Sequence, residues 1–267
     1  MAETEEGRWR GWQNAEMYDR FVRERGIYRW LNERLVERAD LAGARRVLDL
    51  GCGTGATTHA CLALLPADAE VVGLDASAEM VEVARAQTLD PRARFVVANA
   101  ADAADAIEGT FDRALSNAAF WQFPERSRVL GALARLLQPG ARFVLNVPAE
   151  RSAGGDASVH PFQVALARAI EARQGALFVS NATPFDPDDL AAAAARHGLE
   201  LLACERLVWR GAQGELMELM QIPAMIRPLT EELDDAATRE ALVAAREATD
   251  PAEQVEVPWL YVTLRRR

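Results

Sequence analysis

The stretch VLDLGCGTGATT, residues 47–58, constrains the fold more than any other part of the chain. Its apolar first half is typical of a buried strand, and glycines at every second position then interrupt it. Glycine loses more backbone entropy on folding than any other residue, so this clustering indicates a turn that other residues cannot form. A glycine turn between a strand and a helix exposes backbone N–H groups, which favours binding of a ligand at the edge of a parallel sheet.

Strand-like and helix-like segments alternate from residue 45 to residue 147. The predicted strands are RRVLDL, AEVVGLD, ARFVVAN, FDRALSN and ARFVLNVP. After the second of them, Ser77 is placed to cap a helix that buries Met80. Such alternation predicts a parallel sheet covered by helices on both faces. LELLACERLVW and VPWLYVTLRR are two further strand candidates later in the chain.

The segments outside this alternation are predicted to form a cap over the sheet, and residues 1–267 together are predicted to form a single domain. The predicted core comprises three segments, about 44–148, 185–210 and 256–267. The predicted cap or lid comes from three others, 1–40, 149–184 and 211–252.

The glycine turn and the acid before it resemble motif I of the class I S-adenosylmethionine-dependent methyltransferases. In that family an acidic residue stands two positions before a G-x-G-x-G run, here Asp49 followed by Gly51, Gly53 and Gly55. The resemblance implies that the turn contacts the methionine part of the cofactor and that Asp49 lies near its amino group. The same letters match the G-x-G-x-x-G/A dinucleotide fingerprint through Ala56, so a nicotinamide cofactor is the alternative.

Asp75 ends the second predicted strand, about 20 residues after the glycine turn. An acidic side chain at that position can accept hydrogen bonds from both hydroxyls of a ribose, which supports a nucleoside cofactor of either kind. The alternative is a structural role, as a helix cap shared with Ser77. In the methyltransferase family the residues after this acid border the adenine, so the resemblance implies that Ala76 and Met80 contact the cofactor.

Asn99 and Ala100 follow the third predicted strand, where methyltransferases usually carry an Asp–Ala pair. The resemblance implies that the Asn99 amide oxygen accepts from the adenine amino group, as an amide can. It also implies that the backbone of Ala100 contacts the adenine ring. Asp102 is the alternative acceptor if the register shifts. Ser116, at the end of the fourth predicted strand, completes these predicted cofactor contacts.

These landmarks cover residues 44–148 in the order that the methyltransferase family shows. The resemblance therefore implies an α/β fold with a Rossmann-like, seven-stranded, mostly parallel sheet in three α/β/α layers. An α-helical cap would cover this sheet, and the implied cofactor is S-adenosyl-L-methionine.

The stretch SNAAFWQFP, residues 116–124, bears on the substrate. Methylases of DNA bases or glutamine usually carry an Asn/Asp-Pro-Pro-aromatic turn here, and this stretch has no Pro-Pro pair. It instead resembles the corresponding stretch of malonyl-carrier-protein and trans-aconitate methyltransferases. Asn117, Phe120 and Trp121 are therefore predicted substrate contacts at the junction of the cofactor and substrate pockets. Packing of Phe120 and Trp121 beneath the cap is the alternative.

The N-terminal segment WQNAEMYDRFVRERGIYRWLNERL resembles the aromatic lead-in helices of related enzymes, which close over the cofactor. Tyr18 is a predicted cofactor contact, and Tyr28 is a predicted contact for a substrate hydroxyl. Packing of an amphipathic helix on the core is the alternative for this segment.

His160, in the irregular segment SVHPF after the fifth predicted strand, is the predicted catalytic residue. It would act as a base or as a group that orients the substrate. A carboxylate nucleophile needs no base, whereas a hydroxyl benefits from one.

The formal net charge of −10 argues against nucleic acid as a partner, because phosphate binding depends on clustered Lys and Arg. No apolar run approaches the roughly 20 residues of a membrane span, and the cysteines have no metal-ligand spacing. We therefore expect a cytoplasmic, metal-free enzyme that methylates a small organic acceptor. The expected reaction is O-methylation of a carboxylate or hydroxyl in secondary metabolism. The alternatives are N- or C-methylation of a natural product, NAD(P)-dependent oxidation–reduction, and cofactor binding without catalysis.

Overall fold

The structure, a computed structural model, describes residues 7–149, 160–175 and 185–267. One seven-stranded sheet lies at the centre of its fold. The strands are β1 (Arg46–Leu50), β2 (Glu70–Asp75), β3 (Ala93–Val97), β4 (Phe111–Ser116), β5 (Leu137–Pro148), β6 (Leu199–Ala212) and β7 (Gln254–Arg266). Their order in the sheet is β3-β2-β1-β4-β5-β7-β6. Strands β1 to β5 pair in parallel, whereas β7 runs antiparallel to both of its neighbours. The mostly parallel seven-stranded sheet predicted from the sequence is therefore confirmed.

Helices connect the strands and cover the sheet. The α-helices of the described ranges are α1 (Trp12–Glu24), α2 (Gly26–Ala39), α3 (Ala56–Leu62), α4 (Ala78–Gln87), α5 (Ala103–Ala106), α6 (Arg126–Leu136), α7 (Pro161–Gln174), α8 (Pro187–Arg196), α9 (Gln213–Leu219), α10 (Pro223–Ile226) and α11 (Asp235–Glu247). None of the described helices is long and apolar enough to cross a membrane.

Both faces of the sheet are buried, as parallel strands require. Leu48 of β1 packs in an apolar cluster with α5, α6 and α8, whereas its neighbour Val47 packs in a second cluster with α2 and α3. Val72 and Val71 of β2 divide between the same two clusters. Consecutive side chains of a strand point to opposite faces, so this division shows helices on each side of the sheet. The predicted α/β/α layering is confirmed.

Local signals fix several helix ends. The Ser77 hydroxyl accepts a hydrogen bond from the backbone N–H of Met80 at 3.3 Å and so caps α4, as predicted. The Asp186 carboxylate caps α8 in the same way, and proline follows it at the first helical position.

Two boundaries differ from the sequence expectation. Strand β5 begins at Leu137, directly after α6, rather than at Ala141, where the predicted strand ARFVLNVP begins. The β4–β5 register shifts at this point, because the strand accommodates Gly140 at a φ of 82°. The N-terminal helical segment is divided into α1 and α2 because Arg25 between them adopts an extended conformation.

The cap has a small apolar core of its own. Phe162, Leu166 and Ile170, spaced four residues apart on α7, are buried together against α9, α10 and α11. The fully buried Gln213, which begins α9, accepts a hydrogen bond from the backbone N–H of Phe162 at 3.0 Å. This contact joins the start of α7 to the end of β6.

Candidate functional site

A cavity of about 90 Å³ opens at the carboxyl ends of β1, β2 and β4. This is where the strand order reverses, the usual position of a ligand in an open α/β sheet. The residues that line this first cavity are Trp9, Tyr18, Tyr28, Gly51, Gly53, Leu74, Asp75, Ala76, Ser77, Met80, Ala100, Asn117, Ala118, Ala119, Gln122 and Phe123.

The glycine turn follows β1, and its Gly51 and Gly53 line the first cavity, whereas Gly55 does not. Gly51, Gly53 and Gly55 all have positive φ, at 74°, 52° and 92°, a region that side chains disfavour. A Cβ on Gly51 would lie 2.6 Å from the Cβ of Ala119, and one on Gly53 would lie 3.1 Å from the ring of Tyr18. The turn therefore needs glycine both for its backbone conformation and for the space above it.

Asp75 ties the glycine turn to the start of α4. Its Oδ2 accepts from the backbone N–H of Gly53, and its Oδ1 accepts from that of Ser77, both at 2.9 Å. Burial raises the pKa of the Asp75 carboxyl, while these backbone donors oppose that rise. The carboxylate lines the first cavity, and each oxygen has further lone pairs with which to accept from a ligand.

Asp49 is fully buried beneath the turn. The hydroxyl of Thr58 donates to its Oδ2 at 2.7 Å, whereas its Oδ1 has no hydrogen-bond partner among the residues that the structure describes. Burial raises the pKa of the Asp49 carboxyl to about 7, and the nearby Asp75 carboxylate adds to the rise. A cation beside this oxygen would favour the ionised carboxylate and oppose both effects, so the oxygen is suited to a positively charged ligand group.

Three aromatic side chains close the first cavity from the N-terminal segment. Tyr18 makes edge-to-face contacts with Trp9 and Tyr28, with ring centroids 5.4 and 5.5 Å apart. Burial, followed by interaction with Tyr28, raises the pKa of Tyr18 well above its usual value, and burial raises that of Tyr28 to about 12. Both phenols are therefore neutral hydrogen-bonding groups at physiological pH.

Gln122 holds the wall of the first cavity, and sequence analysis did not identify it. Its Oε1 accepts from Arg8 Nη2 at 2.7 Å and from Trp9 Nε1 at 2.6 Å, while its Nε2 donates to the carbonyl of Ala118 at 3.0 Å. The two Oε1 contacts join residues more than 110 positions apart, so no local pattern could have shown them.

A chain of buried amides supports the segment after β4. Asn32 Oδ1 accepts from Asn117 Nδ2 at 3.1 Å, and Asn117 Oδ1 accepts from Asn146 Nδ2 at 2.7 Å. Asn146 Oδ1 in turn accepts from the backbone N–H of Ala118 at 2.6 Å. Ala118 has a φ of 53°, so the chain of amides holds a conformation that a non-glycine residue rarely adopts.

A second cavity of about 460 Å³ lies between α7 and the segment around α10. Its lining residues are Arg8, Trp121, His160, Phe162, Gln163, Val164, Leu166, Ala167, Arg168, Ile170, Glu171, Met220, Ala224, Met225, Pro228 and Leu229. The structure thus brings His160 and Trp121 together in a cavity that is separate from the glycine turn.

His160 is the N-cap residue of α7. Its Nδ1 accepts from the backbone N–H of Gln163 at 3.4 Å, and its ring stacks on Phe162 with centroids 6.5 Å apart. Burial lowers the pKa of His160 to about 4, so the imidazole is neutral at physiological pH. The two other histidines, His59 and His197, pair with hydroxyl groups and line neither cavity.

Several predicted contacts lie outside both cavities. Asn99 precedes a short 3₁₀ helix, and its neighbour Ala100 lines the first cavity although Asn99 does not. Ser116 is fully buried at the end of β4. Phe120 is fully buried in the core, against Phe143. Of the predicted substrate contacts, Tyr28 and Asn117 line the first cavity, and Trp121 lines the second.

No group of three or more His, Cys, Asp or Glu side chains within the described ranges is arranged to hold a metal ion.

Comparison with known proteins identifies the segment around the glycine turn. Residues 47–140 match the family described as "Methyltransferase domain". A trans-aconitate 2-methyltransferase of Deinococcus radiodurans is 38% identical over 130 residues, which cover 49% of this chain and 46% of that protein. A ubiquinone biosynthesis O-methyltransferase of Xanthomonas oryzae pv. oryzae is 35% identical over 111 residues, which cover 41% of this chain and 45% of that protein.

The solved structure of the YcgJ protein from Bacillus subtilis is similar in fold. The two structures superimpose with a TM-score of 0.60 at 18% sequence identity. The aligned region covers 90% of this chain and 99% of the YcgJ chain. The chain thus spans about half the length of the curated relatives that it matches, whereas the fold likeness covers most of it. Residues 47–140 thus match the methyltransferase family expected from the sequence, and the Rossmann-like fold is confirmed.

Proposed function

We propose that this chain is a class I, S-adenosylmethionine-dependent methyltransferase that transfers a methyl group from S-adenosyl-L-methionine to an oxygen of a small organic acceptor. One observation carries the proposal. The glycine turn, where a Cβ on Gly51 would lie 2.6 Å from Ala119, lies beside a fully buried carboxylate oxygen that has no partner among the described residues. That combination fits a ligand with a cationic group close to the backbone.

The residues present fit the cofactor. In this proposal the backbone of Gly51, Gly53 and Gly55 contacts its methionine part, and Asp49 Oδ1 accepts from its ammonium group. Asp75 accepts from the ribose hydroxyls while it keeps its two backbone donors. The remaining proposed cofactor contacts are Tyr18, Ala76, Met80, Asn99, Ala100 and Ser116.

When bound, the cofactor supplies an electrophilic methyl group on a sulfonium. The chain's own residues then contribute mainly position, because holding a nucleophile in line at about 3 Å can supply much of the rate. A carboxylate acceptor needs no base, which agrees with the neutral phenols of Tyr18 and Tyr28 in the first cavity, since a neutral phenol is a poor base. The name of the Xanthomonas relative, an O-methyltransferase, supports oxygen as the attacking atom.

A thermal-shift comparison tests the cofactor part of this proposal. S-adenosylhomocysteine at 100 times its dissociation constant should stabilise the protein by about 2.7 kcal/mol, whereas NAD and NADP should not. Stabilisation by NAD or NADP alone would overturn the proposal and favour an oxidoreductase. Binding of S-adenosylhomocysteine without label transfer from methyl-tritiated cofactor to any carboxylate or hydroxyl acceptor would instead indicate a binding protein.

A further inference from the structure

The second cavity, of about 460 Å³, has the position of an acceptor site. Arg8 and Trp121 line it, while the residues next to them in sequence, Trp9 and Gln122, line the first cavity. Residues adjacent in sequence therefore line both cavities, and the Arg8–Gln122 hydrogen bond lies where the two cavities meet.

Most of the second cavity is apolar. Eleven of its sixteen lining residues are hydrophobic or proline, including the buried Phe162, Leu166 and Ile170 along α7. Met220 and Met225 face them from the other side, and unbranched methionine side chains adapt to an apolar ligand of irregular shape. A ligand with several carboxylates would lose its hydration here without enough donors to replace it.

The polar groups of the second cavity include donors and acceptors. Among the described residues, two guanidinium groups, of Arg8 and Arg168, line it together with the carboxylate of Glu171. The amide of Gln163 also lines it, and its buried Oε1 has no hydrogen-bond partner within the described ranges. The Nδ1 lone pair of His160 accepts from the backbone of Gln163, which places the ring proton on Nε2. In this tautomer the imidazole donates a hydrogen bond and is not available as a base. The cavity thus suits one anionic oxygen group on an apolar body.

We infer that the second cavity binds an acceptor with an apolar body and a single carboxylate, to which His160 Nε2–H donates a hydrogen bond. The inference rests on the proposed methyl transfer and names the substrate class. A carboxylate oxygen forms the new bond to the methyl carbon as the carbon–sulfur bond breaks. The electron pair remains on sulfur, the acceptor becomes a neutral methyl ester, and no proton is transferred. His160 is a substrate-orienting residue in this account.

Calorimetric titration in the presence of saturating S-adenosylhomocysteine tests the substrate class. The probes are 3-phenylpropanoate, 4-methylpentanoate and octanoate, each compared with its primary amide, and trans-aconitate as a tricarboxylate without an apolar body. At least one monocarboxylate should bind tenfold or more tightly than both its own amide and trans-aconitate. Tighter binding of trans-aconitate, or binding of none of the three monocarboxylates, would overturn the inference.

Matched variants on α7 test the location. Ala167 lines the second cavity, whereas Ala172 on the same helix is exposed and does not. Ala167→Phe should weaken the tightest monocarboxylate at least tenfold, and Ala172→Phe should change its affinity less than twofold. Equal affinities in the two variants would place the acceptor elsewhere.

The variant His160→Asn keeps a good helix-capping residue but removes the imidazole donor. It should abolish the preference for a carboxylate over its amide, and retention of that preference would contradict the role of His160. In every variant the affinity for S-adenosylhomocysteine should be unchanged. Failure of the wild-type protein to bind S-adenosylhomocysteine would refute the proposed function itself, whereas its binding without carboxylate binding would refute only this inference.

Discussion

Replacement of Asp49 by asparagine should stabilise the protein at alkaline pH and at the same time weaken its binding of the cofactor. The folded state buries this carboxyl completely, and burial raises its pKa from 3.8 to about 7. Between these two pH values the unfolded chain has lost the proton and the folded chain has kept it. Because the folded state binds the extra proton, the free energy of unfolding falls as the pH rises through this window.

The magnitude follows from the width of that window. Each pH unit is worth about 1.4 kcal/mol, so the wild-type protein loses about 4 kcal/mol of stability from this group by pH 8. Asparagine has no charge and avoids this loss, and its amide oxygen can still accept from Thr58. Its NH₂ group replaces an oxygen that has no partner in the described structure, and an unpaired buried donor costs about 1–3 kcal/mol. We therefore expect Asp49→Asn to be less stable than wild type at pH 4 and about 1–3 kcal/mol more stable at pH 8.

Urea unfolding at several pH values between 4 and 8 measures this difference. A suitable control is Asp68→Asn, which removes the same charge from a side chain that is 70% exposed and paired with Arg45. The control should change the stability by less than about 1 kcal/mol. If the difference in free energy of unfolding between wild type and Asp49→Asn does not vary with pH, the raised pKa of Asp49 is refuted.

Cofactor binding gives an independent readout of the same residue. A cationic ligand group beside Asp49 favours the ionised carboxylate, so binding near pH 6 should release a proton that is already absent at pH 8. Calorimetry of S-adenosylhomocysteine binding in buffers of different ionisation enthalpy detects this release. The Asp49→Asn variant should bind S-adenosylhomocysteine more weakly than wild type and without releasing a proton.

Three further variants test the packing around the site. Tyr18→Ala should weaken binding of S-adenosylmethionine in calorimetry, and unaltered affinity would remove Tyr18 from the proposed contacts. Asn146→Ala leaves two buried groups, Asn117 Oδ1 and the Ala118 N–H, without these hydrogen bonds. Urea unfolding should therefore show a free energy of unfolding about 3 kcal/mol lower than that of wild type. A decrease below about 1 kcal/mol would show that the chain of amides does not support the fold. Leu48→Ala, at a fully buried strand position, should lower the free energy of unfolding by about 2–5 kcal/mol. Its control, Leu89→Ala, at a position 92% exposed, should change that free energy by about 0.5 kcal/mol at most. Equal decreases in the two variants would contradict the assigned core.

The sheet and the turn could be predicted because their signals are local. Residues 47–58 carry the apolar strand, the glycines and the following helix within one short segment, and each glycine does adopt the positive φ that its presence indicated. Ser77 and Asp186 cap their helices because a capping side chain bonds to a backbone N–H only two or three positions away. Such features depend on neighbouring residues alone.

The walls of the cavities could not be predicted in the same way. Gln122 is positioned by Arg8 and Trp9, and Ala118 by Asn146, through contacts across the fold that leave no periodic pattern. His160 stays a predicted base or substrate-orienting group, and its capping bond and its place in the second cavity depend on where α7 packs. Tertiary packing thus decides which predicted residues share a cavity.

Calorimetric titration of the wild-type protein and of Gly51→Val with S-adenosylhomocysteine tests whether the glycine turn binds the cofactor. The valine side chain would occupy the space where a Cβ already lies 2.6 Å from Ala119, at a φ of 74°. Gly140→Val is the control for backbone strain, since Gly140 has a similar φ of 82° and no heavy atom within 4 Å of its added Cβ. The account predicts one saturable site in the wild type and in Gly140→Val and no detectable binding in Gly51→Val. Undiminished binding by Gly51→Val, or no binding by the wild type, would contradict it.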